Sequence, residues 1–135
     1  MKNYKSILRI FLLLIFVYNG LLYAKKHTVK YVTLGDLSYV SEDSLYGNQV
    51  LNVPEITKGV MENGGVLAFI ERPARDGRPQ RWSQLPQLTL ASDSPSYMYL
   101  SHGKGLVQLS YQSSKSINDA VEYTKGKRLK LVISD

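Results

Sequence analysis

From His27 onward this chain is written in short runs of β-branched and aromatic residues, separated at regular intervals by glycine, proline and serine. Such spacing suits a sandwich or barrel, in which each strand is only a few residues long before the chain turns back. No window sustains the 3.6-residue period of an amphipathic helix. The pattern predicts an all-β chain, a single antiparallel β-sandwich of about seven short strands.

The runs can be placed one by one. His27 to Leu34 (HTVKYVTL) reads as a strand ended by Gly35-Asp36, with Leu37 to Val40 continuing it beyond a kink. Gln49 to Val53 is a second run, stopped by Pro54, which has no N–H to give to a ladder. Between Pro54 and Asn63 one short helical turn is expected, with proline and an acid at its front and Asn63-Gly64-Gly65 at its end. Val66 to Ile70 (VLAFI) is apolar at every position and reads as a central strand covered on both sides. Glu71 to Arg81 reads as a charged loop, and Trp82 to Leu90, broken by Pro86, as an edge or bent strand.

The hairpin signal is clearest at Ser96 to Tyr111, where two alternating runs flank His102-Gly103-Lys104-Gly105. Ser113 to Asp119 reads as a polar linker. The last run, Lys127 to Ser134, sets Leu129, Leu131 and Ile133 on one face. Its lysines suggest an edge strand guarded against pairing with another chain.

The first residues divide differently. Lys2, Lys5 and Arg9 make a basic start without an acid, Ile10 to Tyr18 is apolar, and Ala24 is a small residue before a polar stretch. This order is that of a secretory signal peptide over residues 1–24, cleaved after Ala24. Its apolar run is about half of the roughly 20 residues that cross a bilayer, so no stable transmembrane segment is expected after cleavage. The 135 residues less these 24 leave 111, residues 25–135, enough for one sandwich domain. The predicted destination is secreted or periplasmic.

Removing that leader changes the charge. The 17 basic residues lose the three at Lys2, Lys5 and Arg9, leaving 14 against 11 acidic, so the net charge falls from +6 to +3. A nucleic-acid partner calls for a stronger basic bias in the domain itself, and none is expected. The sequence has no cysteine. That excludes disulfides, thiolate catalysis, cysteine-based zinc sites and lipid attached to an N-terminal cysteine.

Asn52 to Thr57 (NVPEIT), the glycine pair and apolar run Gly64 to Ile70, Trp82 with Leu85-Pro86, the tyrosine-rich hairpin and the terminal KLVI run together resemble a family. It consists of small exported bacterial proteins of unknown function, whose pattern of I-T, G-x-V, W and L-P sits behind a signal peptide. The resemblance implies a compact antiparallel sandwich and carries no catalytic residues with it. Many members bear a lipid-attachment cysteine at the cleavage point, which this chain lacks.

Few residues point to chemistry. His27 and His102 are the only imidazoles and lack H-x-x-x-H or G-x-S-x-G spacing, so neither a metal site nor a hydrolytic triad is expected. Glu42 with Asp43, and Glu71 with Asp76, are the carboxylate pairs a glycosidase reading would need. Solvated turn acids explain them as well. No cofactor is implied.

The remaining candidates are basic and aromatic. Arg72, Arg75, Arg78 and Arg81 recur every third residue and Trp82 follows at once. Guanidinium forks match phosphate, sulfate or carboxylate, and an indole stacks on sugars or cations. The bland alternative is a solvated loop in which Glu71 and Asp76 neutralise half the charge. If Met98 and Leu100 face the core, Tyr97 and Tyr99 point outward as an aromatic patch of the kind enriched at interfaces. The expected function is a non-enzymatic binding or assembly module whose partner is an acidic glycan or another protein. Two alternatives stand beside it: a small hydrolase of cell-surface polymer, and a structural subunit pairing through an edge strand.

Overall fold

The computed structural model describes residues 7–15, 17, 26–89 and 93–135. Residues 7–15 and 17 are helical, and the expected cleavage point at Ala24 lies outside the described residues. No helix among the described residues is long and apolar enough to cross a membrane.

In chain order the elements are β1 (His27–Thr33), β2 (Tyr39–Val40), β3 (Tyr46–Asn52), α1 (Lys58–Asn63), β4 (Gly65–Arg72) and β5 (Arg81–Gln84). They continue with β6 (Gln87–Thr89), β7 (Ser96–Gly103), β8 (Leu106–Ser113), α2 (Asn118–Thr124) and β9 (Arg128–Ser134). They form two sheets with antiparallel pairing throughout, one of four strands in the order β1-β9-β4-β5 and one of five in the order β2-β3-β8-β7-β6. The all-β sandwich is thus the architecture, with nine strands where about seven were expected. The extra strands come from divided runs. The Leu85-Pro86 step separates β5 from β6, and there the chain passes from the four-stranded sheet to the five-stranded one.

Alternation decides which face of each strand is buried. From β9, Leu129, Leu131 and Ile133 face inward with Ala68 and Ile70 of β4. Opposite them lie Leu51, Met98, Val107, Leu109 and Tyr111 of the second sheet, and the ends are closed by Leu34, Val53, Ile56, Val60 and Ile117. In a chain without disulfides, this contiguous apolar layer is what offsets the entropy of ordering it.

Three expectations change. The final strand β9 is not at an edge but lies between β1 and β4, hydrogen-bonded on both sides. Its Lys130 points away from the core and lies over the Phe69 and Trp82 rings rather than guarding an open ladder. The β4 strand is covered on its inner face only, since Leu67 on the other face is half exposed. The third change is that the stretch read as a linker leads into a helix, α2. Ile117, Ala120, Val121 and Thr124 fall at i, i+3, i+4 and i+7, the spacing of a helical stripe, and all turn inward. The Thr124 hydroxyl donates to Ala120 O at 2.9 Å and lies 2.8 Å from the Tyr111 hydroxyl, which ties the helix to β8.

The expected hairpin forms between β7 and β8 with a two-residue turn, Lys104-Gly105, in which Gly105 takes φ 76°. Its tip is held by the chain before α1: Val53 N–H donates to Gly105 O and Gly105 N–H to Ile56 O. The helix itself starts later than Pro54, at Lys58, with Thr57 as its cap: Val60 N–H donates to the Thr57 hydroxyl at 3.4 Å.

Candidate functional site

The charged stretch between β4 and β5 is not an irregular loop. Arg75 and Arg78 exchange both backbone hydrogen bonds, at 3.1 and 2.9 Å, around Asp76-Gly77. Both turn residues have positive φ, 50° and 74°, the geometry of a tight hairpin turn for which an Asp-Gly pair is suited. Spacing by three is meaningless along one strand but meaningful across this turn. It sets Arg75 opposite Arg78, and the β4–β5 register sets Arg72 opposite Arg81. All four arginines converge on one cavity of about 340 Å³, whose far wall is Tyr123 and Lys127.

Two rungs of like charge facing each other across a ladder are destabilising by themselves. The acids near them offset little of this. Glu71 lies on the opposite face of β4, where Arg128 Nη2 donates to its carboxylate at 2.7 Å and Gln80 Nε2 at 2.6 Å. Asp76 alone faces the cavity, and its pairing with Arg75 at 3.3 Å is between two largely exposed side chains. Such contacts are weak.

Within the site the basic groups divide by how they are held. Arg72 is fixed on three sides: its Nε donates to Ser83 Oγ at 3.0 Å, its Nη2 to Gln87 Oε1 at 3.2 Å, and its Nη1 to the Tyr123 hydroxyl. Lys127 Nζ sits 3.0 Å from the centroid of the Tyr123 ring, a cation–π contact. Burial pushes the Lys127 ammonium below its usual value. For Tyr123, burial acts upward, but hydrogen bonds from Lys127 and Arg72 outweigh it and hold the phenol below its usual value. The contacts among these groups leave Arg78 and Arg81 turned to the cavity without a carboxylate partner among the described residues.

Trp82 goes elsewhere. Alternation along β5 turns it to the outer face of the four-stranded sheet, and it does not line the arginine cavity. Its ring lies 5.6 Å from that of Tyr31. The guanidinium of Arg128 reaches over both rings, at 5.7 Å from Tyr31 and 5.5 Å from Trp82. Lys130 lies 4.6 Å from the Phe69 ring and 4.8 Å from that of Trp82. The other two aromatic candidates are on the second sheet. Met98 is buried, Tyr97 is exposed, Tyr99 is half-buried, and the two tyrosine rings are 5.6 Å apart. The seven candidate residues thus fall on three surfaces: four arginines at one end, Trp82 on one sheet, Tyr97 and Tyr99 on the other.

The remaining titratable candidates have structural surroundings. His27 opens β1, and His102 lies near the end of β7 with Nδ1 3.3 Å from Met61 Sδ. Asp43 accepts from the Ser41 hydroxyl at 2.6 Å and the Leu45 N–H at 3.1 Å, which lowers its pKa, the Ser41 bond most. No group of three or more His, Cys, Asp or Glu among the described residues is placed to hold a metal.

Glu71 carries a pH consequence. The Arg128 hydrogen bond, more than any other interaction, holds its carboxyl at about 2 against an ordinary 4.5. A depressed carboxyl pKa contributes stability that is fully present above the ordinary value and is lost as pH falls towards the folded one. Melting temperature is therefore expected to decline from pH 4.5 towards pH 2, and Glu71→Gln to flatten that part of the decline. An identical slope in the variant between those limits would remove Glu71 as a cause.

Compared with protein-family models, with curated proteins and with solved structures, the chain matches none.

Proposed function

We propose that this chain is an exported, non-enzymatic binding module, and that the end of its sandwich at the β4–β5 turn takes an anionic group. The single observation that carries this reading is the convergence of Arg72, Arg75, Arg78 and Arg81 with Lys127 on one cavity in which, among the described residues, Asp76 is the only acidic lining. Facing like charges cost stability unless something negative lies between them. Guanidinium forks supply paired donors to a sulfate, phosphate or carboxylate, and Arg72, locked by Ser83, Gln87 and Tyr123, gives the cavity a fixed wall. An acidic glycan is the partner this chemistry fits. The leader-like residues 1–24 and the resemblance to small exported bacterial sandwiches support delivery outside the cytoplasm.

The hydrolase alternative has less behind it. A proton donor needs a raised pKa, whereas Glu71 is held at about 2 and faces Arg128 on the other side of the strand. For a structural subunit that pairs through an edge strand, the terminal strand is not the candidate, because β9 has neighbours on both sides; the sheet edges are β1, β5, β2 and β6.

Retention on a heparin column tests the reading. Arg75→Ala combined with Arg78→Ala removes two exposed side chains and is expected to weaken binding at low salt by about tenfold or more, on the scale of charge-assisted hydrogen bonds. The difference should shrink as salt screens the remaining attraction. Retention that is unchanged by the double substitution would exclude the cavity.

A further inference from the structure

The outer face of the five-stranded sheet is chemically unlike the rest of the molecule. Charged residues make up 21% of the chain, yet no Asp, Glu, Lys, Arg or His occupies the outward positions of β2, β3, β6, β7 and β8. In their place stand tyrosines, amides and hydroxyls in register, with the exposed aliphatic side chains Val40, Val50, Leu88 and Leu106 around them. One row runs Tyr39, Asn48, Ser110, Tyr99, and the next Tyr46, Gln112, Tyr97. Gln108 and Ser101 continue the pattern towards the hairpin tip.

These groups are organised rather than scattered. The Tyr46 hydroxyl accepts from Asn48 Nδ2 and Gln108 Nε2, each at 3.3 Å, and lies 3.4 Å from Ser110 Oγ. Gln108 Nε2 also donates to Ser110 Oγ at 3.3 Å, so what the two amides of this network offer a ligand is chiefly their carbonyl oxygens, each with two lone pairs, and the second N–H of Asn48. On either side of it ring pairs stand close: Tyr39 and Tyr46 with centroids 6.1 Å apart, Tyr97 and Tyr99 at 5.6 Å. Across the three strands β3, β8 and β7, the Tyr46 and Tyr97 positions are about 10 Å apart, twice the usual strand spacing. Tyr39 is 54% exposed and Tyr97 45%. Beyond Tyr97 and Tyr99 the face drops into a groove of about 450 Å³ walled by Leu67, Leu85 and Pro86, so the surface is open along its length.

We propose that this face binds an uncharged, hydroxyl-rich chain, a neutral glycan. The complementarity is one of charge as well as shape. A face with no formal charge on its strands offers nothing to an acidic or basic peptide, and its amides and hydroxyls are the donors and acceptors that sugar hydroxyls pair with. The tyrosines present flat, stiff apolar faces for the C–H sides of pyranose rings, at low cost in side-chain entropy. The site is separate from the arginine cavity and does not depend on the anion reading.

Affinity electrophoresis decides it. The intact protein is run at high salt in gels that contain a soluble mixed-linkage β-glucan, a galactomannan or starch, beside Tyr39→Ala/Tyr97→Ala and Arg75→Ala/Arg78→Ala. Retardation is expected in at least one neutral gel, weakened at least about tenfold by the tyrosine pair and unchanged by the arginine pair. Both tyrosines are surface residues, so thermal melting should stay near that of the parent; should the pair misfold, Tyr97→Ala alone gives the same reading. Tyr97→Phe, which keeps the ring, is expected to retain most of the binding. Passage through all three gels without retardation overturns the proposal. So does retardation lost with the arginine pair or abolished by salt, which would place the ligand at the basic cavity. A mass in solution that doubles with concentration and returns to monomer with the tyrosine pair would make the face a contact between copies of this chain, and overturns it too.

Discussion

Leu131→Ala is expected to destabilise the protein by about 2–5 kcal/mol. Thermal denaturation should show a midpoint lower by roughly 10–20 °C. Leu131 is fully buried, on a strand with neighbours on both sides, paired with Lys30 of β1 and Ala68 of β4. Truncation removes the burial of its methyl groups and leaves a void that cannot collapse, because the backbone on either flank is held by ladder hydrogen bonds. Leu67→Ala, one residue before Ala68 but 52% exposed, is the matched control and should cost less than about 1 kcal/mol. Equal shifts for the two would mean that β9 does not line the core as described.

That control also marks what the sequence could and could not convey. Alternation along Lys127 to Ser134 correctly assigns Leu129, Leu131 and Ile133 to the core, because side-chain direction in a strand follows from period alone. The position of a strand within its sheet does not follow from period. Lys130 reads equally well as an edge guard or as a cation lying over aromatic neighbours, and the choice depends on Phe69 and Trp82, some 50 to 60 residues away. The hairpin from Ser96 was legible because its pairing is local. Tyr97 and Tyr99 face outward for the reason given from Met98, yet the tyrosines and amides they meet belong to β2, β3 and β8.

The arginine site was half legible. The four arginines were visible, but a spacing of three fits neither strand nor helix, so it reads as a loop. The overlooked signal is symmetry: the four positions are mirrored about Asp76-Gly77, and an Asp-Gly pair is a hairpin turn. Tyr123 and Lys127 could not be found in this way. They reach the cavity from α2 and the turn after it, and α2 was missed because its inward stripe is only Ile117, Ala120, Val121 and Thr124 among polar residues. Three of those four, Ile117, Val121 and Thr124, are β-branched residues of modest helix propensity, with little weight in a short window. Packing on the sheet decides the matter instead.

If α2 is what turns an arginine hairpin into a cavity, then Ile117→Ala should affect both stability and binding. Ile117 is fully buried, and its Cδ1 lies so close to Gly47 that a Cβ there would come within 2.6 Å of it. Its N–H donates to Ser44 O at 2.9 Å, so this residue fastens the start of the helix to the entry of β3. Loss of its side chain is expected to cost about 2–5 kcal/mol. The exposed Glu122→Ala on the same helix should stay within about 0.5 kcal/mol. The binding consequence separates this variant from Leu131→Ala. With the helix loosened, Tyr123 and Lys127 no longer hold the far wall, and Arg72 loses the Tyr123 hydroxyl that fixes its guanidinium. At a temperature where both variants remain folded, Ile117→Ala should elute earlier from heparin than the parent, whereas Leu131→Ala, whose void lies inside the sandwich, should not. Undiminished retention of folded Ile117→Ala would show that the arginine hairpin binds without its wall, and that α2 serves the core alone.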